Sequence, residues 1–224
     1  MPDSENPLTV QEYGYIIDPA SLTRFLKIML WIFLGVCLLS LQSDFMQMNL
    51  LGGGSFSQAK AESNDARQRI IGLVFLAAFI VTGIAFLKWI YRANSNCRGF
   101  GAQDMEFSPG WSIGYYFIPI MNLYRPFAAM KEIWKVSGNP ANWRSATGSP
   151  LLGWWWALWL ISGILGQVSF RMSLNTDTIS SLQVATIASI ISAVVDIPLC
   201  LVSVKLVSAV FAKQESLVKK DHLI

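Results

Sequence analysis

The chain has 224 residues, of which 53% are apolar and only 14% charged, and its aromatics include nine tryptophans. A soluble domain carries about 25% charged residues; here the deficit leaves long uncharged runs, which excludes a disordered chain, a disulfide-stapled secreted module and an ordinary soluble enzyme. The net charge of +3 is too slight to argue for nucleic acid, so an integral membrane protein is the class that remains.

No cleavable signal peptide is read at the start. The first apolar run begins only near Phe25, and no small-residue cleavage pattern follows it. A bilayer core about 30 Å thick takes roughly 20 helical residues. The first predicted span covers about residues 22–42, with Asp18-Pro19 as its start signal. Leu50 to Gly54 then reads as a turn, and SQAKAESNDARQR as a helical lead into the second span, residues 70–91. The third span is 151–170. The fourth is 183–205, inside an apolar stretch from Ile179 to Ala212.

Residues 109–136 fit no simple span. WSIGYYFIPIMNLY (111–124) is broken by Pro119, and Asn122 would need a partner in lipid. It reads as a re-entrant element, an interfacial element or a fifth span. Charge favours four spans, because placing both termini in the cytoplasm then puts thirteen of the 17 Lys and Arg inside. The expectation is an all-α integral membrane protein, a four-helix transmembrane bundle forming one membrane domain over residues 1–224.

Pro126 opens a further predicted helix at its first position. There Phe127, Met130, Ile133 and Trp134 share one side, and Lys131, Glu132 and Lys135 the other, an amphipathic pattern suited to the inner interface. It reads as a surface anchor, or as a re-entrant lid whose broken backbone lines a cavity. Arg98, Lys131, Lys135 and Arg144, with Arg92 and Arg125, are candidates for contact with anionic headgroups.

The loop resembles a bacterial family of multi-span membrane proteins known only as a domain of unknown function. The residues that carry the resemblance are Trp89, Arg92 and Asn96, then Ser108-Pro109-Gly110-Trp111. Pro119, Asn122-Leu123, Pro126, Met130 and Glu132-Ile133-Trp134 complete the pattern. The resemblance implies a fold and a bacterial cytoplasmic membrane, and brings no activity, substrate or catalytic residue.

Within the spans Asp196 stands out, since an intramembrane carboxylate costs on the order of 3 kcal/mol on insertion scales. Ala185, Ser189, Ser192, Asp196, Cys200 and Ser203 recur at helical spacing and predict one small, polar, packed stripe. Pro198 is expected to kink that helix. Lys88, Arg92 or Arg125 could pair with Asp196 and fix helix register. Alternatively, Asp196 relays a proton or cation, or meets solvent at a cavity mouth. Trp154, Trp155, Trp156 and Trp159 read as an interfacial belt, or as an aromatic cage for a cation. Ser162 and Gly166 form a small-xxx-small pair expected at a close helix contact.

The three cysteines make no CxxC pair and His222 is the one histidine, so neither a metal site nor a disulfide framework is expected. Phosphate-loop, zincin, nucleophile-elbow and dinucleotide motifs are all missing. With no catalytic residue, metal or cofactor, the expected role is a non-enzymatic component that binds anionic lipid, a second copy of itself or another membrane protein. The alternative is a small transporter or channel subunit using Asp196.

Overall fold

A computed structural model of the chain describes residues 13–174 and 176–221; the first twelve residues and His222 lie outside them. The described residues form six α-helices and no strand. These are α1 (Ala20–Gly52), α2 (Gln58–Gly99), α3 (Pro109–Gly114), α4 (Arg125–Val136), α5 (Pro150–Ser173) and α6 (Ile179–Asp221). Four of them, α1, α2, α5 and α6, are long and apolar enough to cross a membrane, and each contains one predicted span. Their starts follow local chemistry. Asp18 Oδ1 accepts the Ala20 amide, and Ser149 caps α5 ahead of Pro150 at its first turn. Helix α6 runs on through Pro198.

Contacts group the chain into two compact units. The bundle unit comprises Ser21–Trp89 and Ser149–Ser208. At its centre Phe33, Cys37 and Cys200 pack with Phe75, Ala78 and Ile197. Phe86 stacks on Trp155 at 5.9 Å between centroids, and Trp156 on Trp159 at 4.7 Å. Trp155 and Trp156 are therefore core residues of this unit, and Trp154 is the exposed member of the series. The stripe on α6 is packed, with Ala185, Asp196, Cys200 and Ser203 buried. Val184, Ile187, Ile191 and Val194 on its other faces are exposed, as expected of side chains meeting lipid. The small-xxx-small expectation is corrected at Gly166, which is exposed and has open space where a Cβ would sit.

Helix α1 outruns its predicted span because its polar end finds partners. Gln47 Nε2 donates to Thr186 Oγ1 at 2.6 Å, and Asn64 Nδ2 donates to Gln47 Oε1 at 2.9 Å. Arg67 Nε then donates to Ser43 Oγ at 3.0 Å. Gln47, Asn64 and Thr186 are all buried, so the network ties α1, α2 and α6 through groups that need each other. Gln47→Leu leaves Asn64 short of its acceptor and Thr186 of its donor. The variant is expected to lose about 1–2 kcal/mol of stability, the upper range for polar pairs in membrane bundles, measured by thermal unfolding in detergent beside wild type.

The loop unit comprises, among the described residues, 13–20, 90–148 and 209–221. Its core holds Ala93, Cys97, Phe100, Phe107, Met130, Ile133 and Val210. Gln214, also buried, donates to the Ala93 carbonyl and to Ser137 Oγ, both at 3.1 Å. After α3 the chain turns through two short 3-10 segments, Tyr115–Phe117 and Met121–Leu123, and α4 begins with Pro126 in its first turn.

Candidate functional site

The resemblance-bearing residues gather in the loop unit, where they make structural bonds. Asn96 pairs with the backbone of Ile17 in both directions, donating to its carbonyl and accepting from its amide at 3.0 Å each. Arg92 donates to the Asp18 carbonyl at 2.9 Å. Ser108 caps α3 by accepting the Trp111 amide, with Pro109 behind it. Met130 and Ile133 are core, and the Lys213 ammonium lies 4.6 Å from the centroid of the Trp134 ring. Trp89, in the bundle unit, donates its indole N–H to Thr23 Oγ1 at 3.1 Å.

Glu132 departs from the expected pattern. Grouped by spacing with Lys131 and Lys135 on a solvated side, it is instead 5% exposed. Its carboxylate accepts the amides of Glu106 at 2.7 Å and Phe107 at 3.2 Å. Asn94 and Arg98 both donate to the Phe107 carbonyl at 3.0 Å, so one short stretch of backbone is gripped from α2 and from α4. Burial holds the Glu132 carboxyl above the usual range, and the two backbone amides oppose that shift.

Beside this latch sits Arg125. It pairs with Glu106, and its guanidinium lies 5.6–5.8 Å from the ring centroids of Phe107, Tyr115 and Tyr124. The residues just before it form an exposed apolar tip. Phe117 is 72% and Ile120 74% exposed, with Trp111, Leu123 and Tyr124 exposed as well. Ile120 has φ +68°, a conformation that a β-branched residue adopts only under strain. Asn122 lies in the second 3-10 turn, its amide bonded to the Ile118 carbonyl at 3.0 Å. Lys131 is exposed, Lys135 donates to the Arg144 carbonyl, and Arg144 pairs with Asp104 at 3.4 Å.

The intramembrane candidate belongs to the bundle unit. Asp196 is 7% exposed, and Ser162 Oγ donates to its Oδ1 at 2.5 Å. Among the described residues of this unit no Lys or Arg forms an ion pair with it, and Lys88 is exposed. The carboxyl therefore rests on a hydroxyl. Sequence reasoning missed Glu132, the Glu106–Arg125 pair and the Gln47 network. Each joins residues far apart in the chain, and no local signal marks them.

The family model for a domain of unknown function (DUF4328) matches residues 53–212, more than half of the chain, and the chain belongs to that family. No curated protein and no solved structure matches it.

Proposed function

We propose that this member of the family is a non-enzymatic component of the bacterial cytoplasmic membrane that holds anionic lipid through its loop unit, with both termini in the cytoplasm. The observation that carries this reading is the apolar tip of Trp111, Phe117, Ile120, Leu123 and Tyr124, exposed on a segment whose base is fixed by buried hydrogen bonds at Phe107. An exposed apolar patch on an ordered scaffold marks an interaction site, and strain such as that at Ile120 concentrates where a segment has a task beyond folding. The tip enters the interface while Arg125, Lys131 and Lys135 meet headgroup phosphates.

Each cation near an anionic surface contributes about 1 kcal/mol. Neutralising Arg125, Lys131 and Lys135 together is therefore expected to lower retention of phosphatidylglycerol by more than tenfold, read by native mass spectrometry from nanodiscs. Since Arg125 also pairs with Glu106, Lys131→Gln with Lys135→Gln is measured alongside. Unchanged retention in both variants overturns the reading.

One observation favours a second reading, a small transporter or channel subunit: Asp196 is buried with the Ser162 hydroxyl as its partner, and among the described residues of its unit no Lys or Arg pairs with it. On that reading Asp196→Asn abolishes flux and leaves the protein folded; normal flux in the variant rules it out.

A further inference from the structure

A cleft of about 600 Å³ opens between the C-terminal end of α1 and the N-terminal part of α2. Met46, Leu50 and Phe56 give it apolar walls, Lys60 and Arg67 give it two cations, and no Asp or Glu is among its lining residues. Arg67 is fixed before any ligand arrives. Its Nε donates to Ser43 Oγ at 3.0 Å, and its Nη2 donates to Asn64 Oδ1 at 2.6 Å and to the Ser43 carbonyl at 3.4 Å. Ser43 and Asn64 are themselves buried. Nη1 takes part in none of these bonds. A guanidinium held along one edge with a nitrogen to spare is a preorganised receptor for phosphate oxygens, because little side-chain entropy remains to be lost.

Position narrows the ligand. Arg67 comes one turn before Ile70, where the outward face of α2 turns apolar; Ile70 is 62% and Leu73 63% exposed. That is where a bilayer's hydrocarbon gives way to its headgroups, so Arg67 stands at the depth of lipid phosphates, with Lys60 about two turns of α2 further out. Asp44 is near enough to offset part of the Arg67 charge, and Lys60 supplies a second cation to the cleft.

We infer that this cleft binds the phosphate of a glycerophospholipid, with Arg67 and Lys60 on the phosphate and the acyl chains running from it along exposed Ile70 and Val74 toward the hydrocarbon. The site lies in the bundle unit and stands independently of the loop-unit reading. Every phospholipid carries the phosphate, so this site accepts phosphatidylethanolamine as well as phosphatidylglycerol, whereas the loop-unit cations select anionic lipid.

The test is native mass spectrometry of the full chain from phosphatidylethanolamine nanodiscs. Wild type is expected to keep one phospholipid adduct. Lys60→Gln, at an exposed position, is expected to lower its occupancy at least threefold, and Arg67→Lys, which keeps the charge and loses the fork, about tenfold. Adducts unchanged in Lys60→Gln overturn the proposal even if Arg67→Lys fails to fold. Equal retention of diacylglycerol overturns the phosphate assignment. Displacement of the lipid by millimolar inorganic phosphate overturns the lipid assignment in favour of a free anion.

Discussion

Glu132→Ala is expected to release the stretch of chain before α3. The buried carboxylate holds two backbone amides, that of Glu106 in a part-buried hydrogen bond and that of Phe107 in a buried one. Hydrogen bonds to a charged group contribute about 1.5–3 kcal/mol each, and a buried donor left without a partner carries its full desolvation cost. The loss is about 3 kcal/mol, which corresponds to a hundredfold or greater drop in amide-exchange protection at residues 106 and 107. Glu132→Gln keeps one acceptor oxygen and turns an amide donor toward the other N–H, so it recovers only part of the protection. The pH dependence has a definite sign. Burial raises the Glu132 carboxyl above its unfolded value, so between the two values the folded state binds more protons than the unfolded one. The contribution of this group is full below the ordinary carboxyl range and is lost as pH rises through the raised value. Acidification from neutral pH therefore raises the stability of the folded state in wild type, and Glu132→Gln removes that slope.

Glu132 also shows where sequence reading stops. On a helical wheel it falls at the border of the polar face, about 60° from Lys135 and about 40° from buried Val136, so spacing alone does not say which side it joins. Two amides about 25 residues earlier draw it inward. The same holds for Gln47, whose partners Asn64 and Thr186 lie 17 and 139 residues away, and for Cys37 and Cys200, which meet only once α1 and α6 pack. What the sequence does make legible is periodic or local. Four apolar runs mark four long helices. The start of α4 at Pro126 follows from a ring that fixes φ. The polar stripe on α6 is visible because its spacing matches 3.6 residues per turn. Spacing alone misleads at Gly166, where the small residue faces open space. It also misleads at Trp155 and Trp156, whose place near a helix start suggests an interface belt until Phe86 is found against Trp155 and both indoles prove buried. Patterns of period and turn chemistry carry fold class; which polar groups end up together depends on tertiary contacts.

The second large effect concerns Asp196 and runs in the opposite direction. Ser162→Ala alone takes the Ser162 hydroxyl from a buried carboxyl and is expected to destabilise the bundle unit by about 1–2 kcal/mol. Asp196→Val combined with Ser162→Ala removes both partners at nearly constant volume. Replacing a buried polar pair by apolar groups of similar shape is neutral or stabilising, and a carboxyl within a span begins with an insertion cost of about 3 kcal/mol. The double variant is therefore expected to be more stable than wild type by roughly 1–3 kcal/mol, read as a higher unfolding temperature in detergent. Asp196→Asn keeps the contact with Ser162 and is expected to stay near wild type. These three variants separate two roles that a static pair cannot. If the double variant unfolds earlier, the Asp196–Ser162 contact contributes to the fold, which supports a structural role. If it unfolds later, the bundle folds better without the pair, and the carboxyl is held at that depth for a reason other than stability.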